Sequence, residues 1–262
     1  MELNEEQRRF KEEYIRERGY WVAFNDFLLV HSPEFLEAYL RYAATPARLG
    51  PLAPQVRELI YVAVDTSMTH MFGQGLAIHI RKALELGCTA AQLIEVMQIA
   101  TAQGLDSVAV GVEMVVEELQ AANLVPAVLE APLNEQMRAL KEKYLEQFGD
   151  WPMWCQLLLQ LAPQYFSEMT ALLLAPQASG GLDEKTRSLV CLALAASPTH
   201  LERSAMRLHI RRSLRLGATA EELLEVLQLV AHLGVHACVI GVPLIQEATG
   251  SQHVRRRPSN NI

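Results

Sequence analysis

Cysteine and aromatic residues are scarce in this sequence. The 262 residues include four cysteines, and no two of them form a C-x-x-C pair. We therefore interpret the cysteines as small apolar residues of a buried core in a reducing cytoplasm. Aromatic residues make up 6% of the chain, but half of its residues are hydrophobic. This composition excludes a disordered chain and provides for a buried core.

The chain also lacks a basic charge excess and a long apolar run, and its first residues do not predict a signal peptide. Its net charge of −7 excludes the basic footprint of a nucleic-acid-binding protein. The polar, acidic residues 1–6 differ from a signal peptide, and no stretch reaches the roughly 18 uninterrupted apolar residues of a membrane helix. A Gly-rich phosphate loop is absent as well. We expect a cytoplasmic protein with no cofactor and with neither a nucleic-acid partner nor a membrane partner.

What the sequence does contain is a duplication. Residues 57–119 align without a gap with residues 187–249, at a constant offset of 130, and 22 of the 63 positions are identical. The offset continues upstream, where Tyr14 corresponds to Tyr144. A site is therefore to be sought first where both copies have the same reactive group. Those groups are histidines.

Helical periodicity dominates both halves, and strand-like alternation is almost absent. The predicted helices of the first half lie near residues 4–18, 20–31, 33–45, 54–67, 73–87, 89–103 and 105–121. Those of the second half lie near residues 134–147, 150–161, 163–175, 183–196, 203–217, 219–233 and 235–248. The expected fold is all-α, with two tandem copies of one helical unit, residues 1–125 and 131–250. Residues 251–262 are expected to form a disordered basic tail.

One helix boundary is marked in both copies by a stop signal followed by a cap. Gly87 and Gly217 suit the left-handed position that ends a helix. Thr89 then caps the next helix, and Gln92 three residues on completes a capping box. Thr219 repeats this arrangement in the second copy.

The helix before this boundary has a histidine on its apolar face. Apolar residues recur at i, i+3, i+4 and i+7 around His79, and the second copy keeps the pattern around His209. Charged neighbours such as Lys82 and Arg212 are predicted to face away from the core. Both histidines are therefore predicted to point toward packing and not toward bulk water.

The helix after the boundary is apolar on most sides, which predicts a central place in the bundle. Its polar positions are Glu95 and Gln98, repeated as Glu225 and Gln228. Buried polar groups must find partners, so hydrogen bonds that join helices and a role in a binding site are both open.

These residues together resemble a known family. The string H-x-R-x-(A/S)-L, then L-G-x-T, then L-x-E-V-x-Q runs from His79 to Gln98 and again from His209 to Gln228. It resembles the carboxymuconolactone decarboxylase family, which includes the alkyl hydroperoxidase D branch. The resemblance implies an all-α, oligomeric protein with active sites near subunit contacts. A tandem chain would then act as a covalent dimer, and three chains would form a pseudo-hexamer.

Two departures from the family pattern bear on the activity. The peroxidase branch places C-x-x-C just before the histidine, but neither copy has a cysteine there. Without an attacking thiolate and a resolving thiol, a disulfide cycle cannot run, so thiol peroxidase activity is not expected. The decarboxylase branch places Glu four residues before the histidine, where this chain has Gly75 and Ala205. The acidic partner is thus missing from both copies.

The functional interpretation makes His79 and His209 the principal catalytic acids or bases. Decarboxylation beside an unsaturated lactone builds negative charge, which an imidazolium can stabilise before it delivers a proton. His70 and His200, which follow Thr in both copies, would assist, and His70 would pair with His79 in place of the missing Glu. Packed or capping histidines without a catalytic role are the alternative.

The second half has two further histidines, His232 and His236. With the two histidines already placed in that half, they could hold zinc or another transition metal. Gly234 between them argues against a rigid helical chelate, and we expect no metal. His236 corresponds to Asp106 in the first half, so the two residues would be an asymmetric pair in a site built from unlike halves.

Arginine residues near the histidines suit an anionic substrate. The candidate substrate-binding residues are Arg81, Arg211, Gln98, Gln228 and His236. Arg57 and Arg187, which begin a helix in each copy, are further candidates. Surface solvation and ion pairs are the alternative for these arginines.

The function predicted from these observations is enzymatic. We expect a cofactor-free lyase (a decarboxylase) or an isomerase, which acts by histidine acid/base chemistry on a small carboxylated ring-cleavage product in aromatic compound catabolism. A non-catalytic scaffold or small-ligand-binding protein of the same fold is the alternative, and a metal-dependent or peroxidase-type enzyme is a third class. The expected partners are a small anionic substrate and further copies of the chain.

Overall fold

The computed structural model describes residues 3–250, and within that range every regular element is a helix. The first repeat contains α1 (Glu5–Arg18), α2 (Phe24–His31), α3 (Pro33–Leu49), α4 (Pro54–Thr66), α5 (Gly73–Glu85), α6 (Ala90–Thr101) and α7 (Asp106–Ala121). The second contains α8 (Glu135–Phe148), α9 (Met153–Leu161), α10 (Pro163–Ser179), α11 (Glu184–Ala196), α12 (Arg203–Arg215), α13 (Ala220–Ala231) and α14 (His236–Ala248). The predicted all-α class is confirmed. The predicted basic tail lies outside the described residues.

The offset of 130 residues holds in the helices as well as in the sequence. Helices α4, α5 and α6 begin and end 130 residues before α11, α12 and α13. The predicted boundary between α5 and α6 is also confirmed in both copies. Gly87 and Gly217 adopt left-handed backbone angles, with φ of 91° and 81°, and Thr89 caps α6 through a capping box with Gln92. The chain is therefore a tandem duplication of one helical unit.

Two helices continue farther than the sequence predicts. Helix α3 runs through Pro46 to Leu49, and α10 runs through Pro176 to Ser179, whereas the prediction ended them near residues 45 and 175. A proline inside a helix removes one backbone hydrogen bond. The last turn still closes, because the Gly50 N–H donates to the Pro46 carbonyl at 2.8 Å.

The chain forms two compact units, and each contains segments of both repeats. Among the described residues, the smaller unit joins residues 3–50 to residues 231–250, and the larger unit is Pro51–Val230. In the smaller unit α14 packs against α2, and in the larger unit α7 packs against α9. The last helix of each repeat therefore packs against the N-terminal helices of the other repeat. The two repeats are units of sequence, and they exchange their final helices when the compact units form.

A buried carboxylate on α6 joins the two repeats inside the larger unit. Glu95 is fully buried and accepts hydrogen bonds from Arg187 Nε at 2.8 Å and from the Leu182 N–H at 3.0 Å. Its counterpart Glu225 on α13 makes the reciprocal contacts, with Arg57 Nε at 2.5 Å and the Leu52 N–H at 2.7 Å. Each carboxylate thus has a guanidinium and a backbone donor from the other repeat.

Helix α6 is central in the larger unit, where it packs against α4, α10 and α11. Its apolar side chains are not all buried, and its polar side chains are not all exposed. Ile94 is 54% exposed although it is apolar, whereas the adjacent Glu95 is fully buried. The buried ion pair, and not hydrophobicity alone, therefore orients this helix. Of the two interpretations of Glu95, the contacts support hydrogen bonding between helices.

Two continuous helical stretches, Ala90–Ala121 and Ala220–Ala248, are long and apolar enough to cross a membrane by length and composition. Each stretch contains a 3₁₀ turn, Ala102–Leu105 or His232–Val235. Core helices of proteins that never enter a membrane meet the same criterion, so the observation is weak support for a membrane location.

The contact between Glu95 and Gly180 tests how much the ion pair stabilises the fold. A Cβ atom at Gly180 would lie 1.6 Å from Glu95 Oε2, so Gly180→Ala must displace the carboxylate from Arg187. We expect the free energy of unfolding to fall by about 3–5 kcal/mol, the usual cost of breaking a buried ion pair, as measured by urea denaturation. Gly111→Ala on α7 is the control, because no atom lies within 4 Å of its added Cβ. Equal stability of the two variants would contradict the expectation.

Candidate active site

A cavity of about 650 Å³ lies within the larger unit. Helices α6 and α7 of the first repeat and α10, α11 and α12 of the second repeat contribute to its walls. Apolar side chains such as Leu173 and Leu194 alternate in the walls with arginines, carboxylates and one histidine. Concave, largely apolar sites of this size with a few polar groups bind small organic molecules.

The histidine in the cavity wall is His209, which α12 holds in a half-buried position. Its Nδ1 atom is buried and has no hydrogen-bond partner among residues 3–250. Burial and the positive charge of Arg212 lower the pKa of His209 to about 4. The imidazole is therefore neutral near pH 7. The sequence-based hypothesis assigns His209 an imidazolium that donates a proton, whereas the lowered pKa favours the neutral imidazole, a weak proton acceptor.

Arg212 is the cation beside His209, and sequence analysis missed it. The helical periodicity of α12 predicted that Arg212 faces away from the core, but its side chain lines the cavity. Its guanidinium carbon lies 5.4 Å from the centroid of the Phe148 ring, and among the described residues no carboxylate forms an ion pair with it. Arg211, the predicted candidate, also lines the cavity, but its side chain is 56% exposed and lies 3.9 Å from Asp150.

A second titratable pair combines one residue from each repeat. His200 Nε2 lies 2.6 Å from Oδ2 of Asp106, which begins α7 and lines the cavity. Burial raises the pKa of Asp106 and the negative charge of Glu202 adds to this effect, while the bond with His200 opposes both. The net shift is upward, so Asp106 keeps its proton to a higher pH than an ordinary aspartic acid.

Glu202 and Cys191 are two further residues of the cavity wall. Glu202 caps α12, where its carboxylate accepts the backbone N–H groups of Ser204 and Ala205. Burial raises the pKa of the Cys191 thiol to about 11. A protonated thiol is a poor nucleophile.

The histidine of the first repeat has a different environment. His79 is buried, and its Nδ1 lies 2.7 Å from Glu58 Oε2. Lys82 Nζ lies 2.8 Å from the other oxygen of Glu58, and the Tyr61 ring lies 4.4 Å from the imidazole. Burial would raise the pKa of Glu58, but the bonds from His79 and Lys82 outweigh it and hold the pKa below its usual value. Glu58 is therefore an ionised carboxylate.

Glu58 supplies the acidic partner that the motif lacks at Gly75. The family pattern places this partner on the helix of His79 itself, whereas Glu58 belongs to α4. Lys82 was predicted to face solvent and instead turns toward Glu58. The sequence distinguishes Glu58 in one way. It differs between the two copies, because Ser188 stands at the corresponding position.

His70 lies near a second buried carboxyl group of the first repeat. Its Nε2 is 3.9 Å from Oδ1 of Asp65, and burial lowers the pKa of His70. Burial, together with the negative charge of Glu58, raises the pKa of Asp65 to about 8. The proton relay between His70 and His79 stays a prediction.

The other predicted site residues are Arg81, Gln98, Gln228 and His236. Arg81 on α5 and Gln228 on α13 are exposed, while the exposed Gln98 borders the cavity. His236 begins α14 in the smaller unit. In that unit His232 is buried, and its Nε2 lies 3.4 Å from a guanidinium nitrogen of Arg18. The positive charge of Arg18 disfavours a metal ion at His232.

The neutral state of His209 makes stability depend on pH. The unfolded chain binds a proton at His209 near pH 6.5 and the folded chain only near about pH 4, so the free energy of unfolding should fall as pH falls between these values. We expect His209→Gln to reduce the slope of unfolding free energy against pH in this window, as measured by urea denaturation from pH 7 to pH 4. Arg212→Leu should instead raise the pKa of His209. An unchanged slope in His209→Gln would contradict the assignment.

Comparison with known proteins places these residues in a family. The family model of the Carboxymuconolactone decarboxylase family matches residues 33–118 and 161–235. A crystal structure from Burkholderia xenovorans LB400, whose name as a gamma-carboxymuconolactone decarboxylase subunit is provisional, is 34% identical in sequence with a TM-score of 0.88. The match covers 94% of this chain and 98% of that one. No curated protein matches the sequence. The chain belongs to the carboxymuconolactone decarboxylase family.

Proposed function

We propose that this chain is a cofactor-free proton-transfer enzyme, a lyase or an isomerase, that acts on a small carboxylated molecule. The observation that carries the proposal is the pairing of a neutral histidine, His209, with the unpaired cation of Arg212 in the wall of one cavity. The family supports carboxymuconolactone-like chemistry. A ring-cleavage product of aromatic catabolism has the size and charge that this cavity would take.

Arg212 would bind the carboxylate of the substrate. A guanidinium donates charge-assisted hydrogen bonds to a carboxylate, which fixes the position of the anion. The Phe148 ring, which lies beside the guanidinium, would keep it from swinging into solvent. Arg211, nearer the solvent and close to Asp150, would attract the anion without holding it.

His209 and Asp106 would divide the proton transfers. A neutral imidazole can remove a proton from carbon next to a carbonyl group and return it elsewhere, which is an isomerisation. In a decarboxylation the bond to carbon dioxide breaks, its electron pair moves into the conjugated carbonyl, and an acid must protonate the carbon. Asp106, whose pKa is raised and which is bonded to His200, is suited to be that acid.

A non-catalytic scaffold is the second candidate, and one observation favours it for half of the chain. His79 is buried and bonded to Glu58, as a structural histidine would be. The contrast with His209, which lines a cavity, supports an enzyme whose chemistry is confined to the second repeat.

We also propose that the chain forms cytoplasmic homo-oligomers, as the trimeric pseudo-hexamer of the sequence analysis requires. Helix α7 exposes Val110, Met114 and Val115, and α14 exposes apolar residues at the same register. Those residues are Ile240, Leu244 and Ile245. Exposed apolar faces repeated at equivalent positions suit a subunit interface. The free cysteines of the described residues agree with a reducing compartment.

The experiment that tests the function is a screen of lactones and unsaturated dicarboxylates with purified protein. For the substrate that is converted, His209→Gln should lower kcat by about 10²–10⁴-fold, the usual contribution of a general acid or base. Arg212→Leu should raise KM by about 10-fold or more, the value of a charged hydrogen bond. The control is Arg203→Leu, an exposed arginine at the start of the same helix. Conversion by His209→Gln at the wild-type rate would refute the proposal.

The pH dependence of the reaction gives a separate test. If His209 acts first as a base, kcat/KM should fall as pH decreases through the pKa of about 4, because protonation removes the acceptor. A profile from pH 3.5 to pH 8 would locate this limb. An acid limb near the ordinary histidine value of about 6.5 would contradict the proposed role.

A further inference from the structure

The two repeats differ at the position that faces the histidine from the preceding helix. Glu58 on α4 corresponds to Ser188 on α11 at the constant offset. Glu58 bonds both His79 and Lys82. Ser188 is too short for either bond, and its Oγ lies 2.8 Å from Oγ of Ser213 instead.

The counterparts of His79 and Lys82 therefore lack an internal carboxylate. These counterparts are His209 and Arg212. Within residues 3–250, Nδ1 of His209 is buried without a hydrogen-bond partner, and no carboxylate neutralises Arg212. A buried polar atom without a partner is rare and calls for an explanation. The same arrangement of imidazole and cation thus exists twice, once with its anion and once without.

A further difference leaves more space beside the histidine of the second repeat. Tyr61 on α4 lies against His79, with 4.4 Å between the ring centroids. Its counterpart on α11 is Cys191, a much smaller residue that lines the cavity. The large ring covers the imidazole in the first repeat, whereas the small thiol leaves room beside the imidazole in the second.

We propose that the Glu58 carboxylate occupies, in the first repeat, the place that a carboxylate of the substrate takes in the second repeat. Of the two equivalent positions, only the one at His209 and Arg212 then binds substrate. The position at His79 and Lys82 is occupied by the Glu58 side chain. The inference rests on the proposed function for the location of the site, but it concerns binding and not turnover.

The contacts of Glu58 then describe how the substrate is held. One carboxylate oxygen would contact the imidazole and the other the guanidinium, as the two oxygens of Glu58 contact His79 and Lys82. A carboxylate beside His209 favours its protonated form. Binding of the anion should therefore raise the pKa of His209 from about 4.

The direct test counts the anions bound per full-length chain. Maleate, a small unsaturated dicarboxylate, is titrated into the protein at pH 7 by isothermal titration calorimetry. Wild type should bind one maleate per chain. Ser188→Glu combined with Ser213→Ala, which reproduces the first repeat, should bind none. Gln136→Glu adds the same charge at an exposed position of α8 and should bind as wild type does.

The reciprocal test removes the Glu58 carboxylate from the first repeat. Glu58→Ser leaves His79 and Lys82 without their carboxylate, so the variant should melt at a lower temperature than wild type. Formate should restore part of the lost Tm by occupying the vacated position, and it should leave the Tm of wild type nearly unchanged. This variant decides the question if the Ser188→Glu, Ser213→Ala chain does not fold.

Several results would overturn the inference. They are binding of two maleates or none by wild type, unchanged binding after Ser188→Glu with Ser213→Ala, and equal formate effects in Glu58→Ser and wild type. Failure of the proposed function has a different signature. A chain that binds one maleate as expected, but converts no lactone or dicarboxylate, would refute the enzyme and keep the binding inference.

Discussion

The reciprocal contact of two buried carboxylates is the constraint on which the larger unit depends. Glu95 and Glu225 each accept a guanidinium and a backbone N–H from the other repeat. A buried carboxylate without these partners would cost several kcal/mol, so the two repeats are held in one arrangement. The arginines that complete the pairs immediately precede Glu58 and Ser188 in the chain. The ion pairs therefore also fix the start of the two helices that face the histidines.

Local patterns in the sequence were sufficient to predict the helices, the duplication and the placement of the histidines on buried faces. Those patterns depend on contacts within one helix, where periodicity and capping residues are directly visible. They fail for contacts between helices. Lys82 and Arg212 were assigned to solvent because each lies on the charged side of its own helix. Their actual surroundings, Glu58 and the cavity, depend on α4 and on helices more than sixty residues away, which no local pattern encodes.

Duplication followed by divergence explains why one residue type has two environments in this chain. His79 lies beside an ionised carboxylate, whereas His209 lies beside a guanidinium. The charge of Arg212 adds to the burial that lowers the pKa of His209. The exchange between Glu58 and Ser188 on the preceding helix removes the carboxylate that offsets the neighbouring cation. The histidine and most of its helix are retained in both copies, so comparison of the motif alone cannot distinguish the two environments.

The exchange of final helices between the repeats also affects how the chain folds during synthesis. The smaller unit combines helices near the N-terminus with α14, and about 200 residues separate α2 from α14. Closing a loop of this length carries an entropic cost and slows folding. As the chain leaves the ribosome, its first helices have no α14 to cover them until nearly the whole polypeptide has been translated. The apolar surface that α14 covers is therefore exposed for most of that time, which leaves the N-terminal segment open to aggregation and to chaperone binding.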